Sequence, residues 1–145
     1  KGDRAVMIER FLNYSDFEDA ILDGDLAKLG DPLANFIYSL GKSIASGEPA
    51  GDKVSNEVLS NALSAAELRY LAPSRVDRHR LGDFVEAIIA FAWLEGEIEI
   101  DEAANILVDY FENVDFDSRK EVMAAAEEGF EELLLVISRR IPFEQ

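Results

Sequence analysis

Apolar residues recur along this chain at the three- and four-residue spacing of helices, and nowhere do they alternate long enough to make a sheet. Val6, Ile8, Phe11 and Leu12 predict a first helix over residues 6–12. Ser15-Asp16-Phe17-Glu18 reads as a capping box that opens a short helix through Leu22, with Gly24 interrupting it and residues 26–30 adding one further turn. Asp31-Pro32 is a helix-start signal, since an Asp caps free amides and a proline in the first turn loses no hydrogen bond. The helix it opens presents Leu33, Phe36, Ile37, Leu40 and Ile44 to a core and stops at the Gly- and Pro-rich loop 46–51. Residues 54–63 form another helix, with Val54, Val58, Leu59 and Ala62 or Leu63 inward. Ser64-Ala65-Ala66-Glu67 is a second capping box, starting a short helix that ends before Pro73.

The most apolar stretch follows, LGDFVEAIIAFAWLEG at 81–96. A helix from Ser74 or Arg75 to Glu95, closed by Gly96, is apolar nearly all round and is expected at the centre of the fold. Two further helices, 101–111 and 117–139, bury Ala103, Ile106, Leu107 and Tyr110 in the first. In the second, Val122, Met123, Ala126, Phe130, Leu133, Leu134 and Ile137 point inward, and Pro142 closes the tail. The pattern predicts an all-α fold of about seven helices, organised as a single domain over residues 1–145.

Composition narrows the chemistry. Cysteine is absent, which excludes disulfides and thiolate zinc sites and favours a cytoplasmic protein. No stretch approaches the roughly 18 uninterrupted apolar residues of a membrane span, and no membrane is expected as a partner. Thirty acidic residues against 14 basic give a formal charge of −16, and one histidine makes histidine-based catalysis a poor candidate. Carboxylates remain, and these suit hard cations such as magnesium or manganese.

Asp83 and Glu86 stand three residues apart in the central helix, on the side that also carries the small Ala87 and Ala90. Acids in so apolar a helix require partners, water or a metal. Asp31 is the natural third ligand, because Leu29-Gly30-Asp31 and Leu81-Gly82-Asp83 are matching triplets, each at the start of an apolar helical run. Locally, Asp31 is read as well as a cap, and the acid pair as a solvated stripe or as arginine partners. Four arginines, Arg69, Arg75, Arg78 and Arg80, gather within residues 69–80 beside His79, a local reversal of charge that suits either phosphate oxygens or salt bridges. There is no glycine-rich phosphate loop, no Gly-x-Ser-x-Gly and no calcium-loop spacing.

Leu29-Gly30-Asp31-Pro32-Leu33 resembles the first signature of ribonuclease III endonuclease domains. Asp83-Phe84-Val85-Glu86-Ala87, followed by Ile88-Ile89-Ala90, resembles the second, an Asp-x-x-Glu-Ala before an apolar run. The likeness covers about residues 16–111 and is nearest the short archaeal form without a double-stranded-RNA-binding domain. It implies an all-helical homodimer that hydrolyses phosphodiester bonds of double-stranded RNA. It further implies Asp31, Asp83 and Glu86 as catalytic ligands of magnesium or manganese; beside them, Arg75, Arg78 and Arg80 of the basic run are the expected phosphate contacts. The chain departs from the family where the first signature has glutamates four and seven residues before its aspartate; these positions are Ala27 and Gly24. The alternative is a catalytically weakened relative of the same fold, serving as a helical partner module in RNA processing.

Overall fold

The computed structural model describes Arg4, Met7, residues 17–22 and residues 24–143; apart from Met7, the helix expected at 6–12 lies outside the described residues. Among the described residues six α-helices run in the order α1 (Phe17–Leu22), α2 (Asp25–Ser46), α3 (Asn56–Ala65), α4 (Arg78–Leu94), α5 (Ile100–Phe111) and α6 (Arg119–Arg140), with a 3-10 turn at Arg69–Leu71 between α3 and α4. No strand occurs among the described residues, so the fold class is all-α as the spacing predicts. Helices α2, α4, α3, α6 and α5 pack each against the next and close a ring, with α1 laid against α4. Within the ring Ile37, Leu59, Leu63, Ile88, Ile89, Leu107, Phe130 and Leu133 are fully buried.

Side-chain caps set three of the starts. Ser55 accepts the Val58 N–H at the head of α3, Asp77 accepts that of Arg80 at α4, and Ser118 accepts that of Glu121 at α6. Helix α4 therefore begins at Arg78, later than expected, because Asp77 is the residue whose carboxylate can meet the free amides.

Two expectations for the first half of the chain are corrected. Asp31-Pro32 does not open a helix: α2 starts at Asp25 and passes through Pro32 unbroken, so Asp31 stands more than a turn inside it. Pro32 forfeits the bond to the Lys28 carbonyl, a change that costs about 3 kcal/mol in a helix interior. Both residues face solvent, and burial of Leu26 and Gly30 before the proline and of Ala34, Ile37 and Tyr38 after it holds the rod together. The second capping box does not form either. Ser64 and Ala65 end α3, and Glu67, at φ 61°, turns the chain out of it. The Glu67 N–H meets the Ser64 carbonyl at 3.0 Å and the Leu68 N–H meets that of Leu63 at 3.1 Å. This is a Schellman stop with a glutamate where glycine is customary.

The buried face of α2 also differs from the expected one. Of Leu33, Phe36, Ile37, Leu40 and Ile44 only Ile37 is buried, while Phe36 and Ile44 are 54% and 50% exposed. The face turned inward instead carries Gly30, Ala34, Ile37, Tyr38 and Gly41. Small residues there let α4 and α5 come close, and close packing outweighs the area of the larger side chains left outside.

Candidate metal and phosphodiester site

The site begins with a glycine. A Cβ built at Gly30 would lie 2.1 Å from the Glu86 carbonyl oxygen, so α2 and α4 touch backbone to backbone at this point. The contact sets the next residue, Asp31, beside the Glu86 side chain, and the two carboxyl groups share a hydrogen bond. Asp83, one turn earlier on α4, faces the same open cavity of about 740 Å³. Gly82 makes the matching contact with α3: its Cβ would lie 2.6 Å from the Asn56 side chain. In both Leu-Gly-Asp triplets the glycine permits a helix contact and the aspartate stands at its edge.

Glu86 is 3% exposed. Burial pushes its carboxyl up to about 8, and the hydrogen bond and charge of Asp31 and the charge of Asp83 push in the same direction. The ammonium of Lys53 opposes them. The three acids thus hold less negative charge than three free carboxylates, because Glu86 keeps its proton near neutral pH.

Two asparagines, one behind the cavity wall and one on it, were not singled out by the sequence. Asn35, one turn after Asp31, donates to the Asp31 carboxylate at 3.3 Å and accepts the Val54 N–H at 2.9 Å, tying the segment before α3 to α2. The Asn56 amide meets the His79 Nδ1 at 2.7 Å and donates to the His79 carbonyl oxygen at 3.1 Å. The turn spacing of Asn35 from Asp31 was available in the sequence; the approach of Lys53 and Asn56 is tertiary and had no local signal.

The arginine run does not converge on this wall. Arg69 is spent on the carbonyls of Ala72 and Ser74, and Arg78 lies 3.7 Å from Glu57. Arg75 is exposed. Arg80 lines a smaller adjoining cavity of about 140 Å³ together with Asp83, Phe84 and Ala27. Ala27 borders both cavities and brings no oxygen to either.

The sequence pattern of the family described as Ribonuclease III matches residues 24–143. The chain belongs to the ribonuclease III family. No curated protein matches it. The matched stretch takes in α2 to α6 and with them all three acids. At the level of the ribonuclease III family the activity is of the nuclease type, and the family generally uses a divalent metal, acts on double-stranded RNA and is typically dimeric. Among the described residues no helix is long and apolar enough to cross a membrane.

A divalent metal suits the donors present. The three acids offer carboxylate oxygens, the ligand type that magnesium and manganese prefer, and a cation arriving here would displace the proton held on Glu86. As the side chains stand, no three His, Cys, Asp or Glu residues among those described are gathered tightly enough to hold an ion.

Proposed function

We propose that this member of the ribonuclease III family is a metal-dependent endoribonuclease that hydrolyses phosphodiester bonds of double-stranded RNA. One domain over residues 1–145, working in the cytoplasm, would carry the activity. Asp31, Asp83 and Glu86 would hold magnesium or manganese, with water at the position that Ala27 leaves without an acid. When bound, the metal supplies an activated water and neutralises charge that builds on the phosphate. The chain's own part is to hold the three carboxylates on one wall, with Lys53 beside them to attract a phosphate, while Arg75, Arg78 and Arg80 would meet the backbone away from this wall. The observation that carries this reading is the pairing of Asp31 with the buried Glu86 across two helices, with Asp83 on the same cavity.

The test is direct. Purified chain with magnesium or manganese is expected to cut a double-stranded RNA, and Asp83→Asn to remove the cut while leaving the melting temperature near that of the parent. RNA left intact under both metals would favour the partner module, the reading to which the missing acid at Ala27 lends weight.

The face of α2 left outside supports the dimer. Leu29, Leu33, Phe36, Leu40 and Ile44 follow one another at spacings of four, three, four and four, a continuous apolar seam on one side of the helix. Three of the five are exposed and the other two half-buried. An apolar stripe of this kind on a chain of charge −16 is the natural meeting place for a second copy, since it offers attraction where a strongly acidic surface repels. Phe36→Glu is expected to shift the molar mass in sedimentation equilibrium from dimer to monomer. Unchanged mass would place the interface elsewhere.

A further inference from the structure

Beyond Lys53 lies a second cavity, of about 340 Å³, whose lining reverses the charge of the chain. Tyr38, Lys42, Lys53 and Arg119 face it, with Asp52 and Asp117. Lys42 is built in: its side chain is only 16% exposed, its ammonium sits 2.8 Å from the Asp52 carboxylate, and it lies 5.0 Å over the Tyr38 ring. With Asp52 neutralised in this way, Asp117 is the one carboxylate of this lining left against Lys53 and Arg119, and Lys53 also faces the acids of the neighbouring cavity. Both cations are exposed and neither has an ion-pair partner among the described residues. Helix α6 begins at Arg119, so the positive end of its dipole adds to the same side.

The cavity is also aligned with the acid site. Asp31, Asn35, Tyr38 and Lys42 follow one another down one edge of α2 at spacings of four, three and four. At 1.5 Å per residue, Tyr38 and Lys42 lie about 10 and 16 Å along the helix from Asp31. Lys53 lines both cavities, and the bond from the Val54 N–H to Asn35 fixes it between them.

We propose that this cavity is a phosphate subsite, which takes a second backbone phosphate of the nucleic acid whose scissile phosphate lies at Asp31, Asp83 and Glu86. The occupant rests on the nuclease reading above; the anion chemistry of the cavity does not. A strand leaving the acids along the α2 edge passes Lys53 and reaches Arg119 and Lys42, so a chain that is acidic elsewhere gains hold of its substrate where it is needed.

Two measurements test this on the full chain. Inorganic phosphate, titrated by NMR, is expected to shift the Arg119, Lys42 and Lys53 resonances saturably, and Arg119→Glu to abolish the shifts with an unchanged melting temperature. In cleavage of a duplex RNA, Arg119→Glu is expected to raise KM about tenfold, the loss falling on KM rather than kcat. The salt dependence of binding should become shallower by about one phosphate contact. If the chain cuts duplex RNA but Arg119→Glu leaves KM and the salt slope untouched, the subsite is overturned and the nuclease reading stands. If phosphate shifts the resonances but no RNA is cut, the nuclease reading falls and the nucleic acid is overturned as occupant. Absence of any saturable phosphate shift overturns the subsite outright.

Discussion

Glu86→Gln is expected to make the metal-free protein more stable and the enzyme inactive. The wild-type carboxyl sits near 8 in the fold against 4.5 when free. Below pH 4.5 it is protonated folded or unfolded, and it then contributes no pH dependence. Between about 4.5 and 8 the folded chain keeps a proton that the unfolded chain has lost, so stability falls as pH rises through this window and levels off above it. Glutamine has no charge to bury, so the variant should lose that slope. At pH 9 it should be more stable than the parent by roughly 2 kcal/mol or more, read by urea denaturation in EDTA. A metal must displace the same proton, so magnesium affinity of the wild type should climb across the same window. The amide cannot supply an anionic ligand, and loss of the ion removes several kcal/mol of transition-state stabilisation, on the order of a thousandfold in kcat. A variant that is neither more stable nor slower would show that Glu86 is only a packed side chain.

The second large effect belongs to Gly30→Ala. One methyl at this position would stand 2.1 Å from the Glu86 carbonyl oxygen and 2.4 Å from its carbonyl carbon, and neither can move without moving α4. Forcing the two backbones apart is expected to cost roughly 3 kcal/mol or more, by urea denaturation. What remains folded should also hold the Glu86 carboxyl less far above its ordinary value, because parting the helices lets water reach it and takes Asp31 away. At Gly82 the obstacle is the Asn56 side chain rather than a backbone, so the same substitution there is the milder control. Equal and small losses at both positions would mean that the α2–α4 contact tolerates more separation than its geometry implies.

Much of this was legible in the sequence. The acid pair could be read because Asp83 and Glu86 sit in a helix too apolar to face water, and Asp31 because its triplet repeats theirs. The central place of α4 followed from its composition, and the inward faces of α3 and α6 from their spacing. The orientation of α2 was not legible by the same rule. Counting large side chains selects Phe36 and Ile44, whereas the helix is drawn inward by Gly30, Ala34 and Gly41, whose lack of bulk permits contact. Pro32 misled in a related way, since a local start signal yields when burial on both sides favours continuing the helix. Ser64 to Glu67 has the letters of a helix start and the geometry of a stop, decided by which amides find carbonyls. Lys53, Asn56 and Arg119 carried no signal, because their relevance comes from the neighbours that folding gives them.

Pro32 leaves a strut missing from α2 at the turn from which Asp31 projects. Helix α4 has no such gap, so Asp83 and Glu86 stand on a stiff support. The compliance needed to close three carboxylates around an arriving cation is therefore concentrated on one side, where the Asp31 turn can yield a little without disturbing the core. Should a cation draw the three carboxylates together, that give would trace to a single backbone amide that cannot donate.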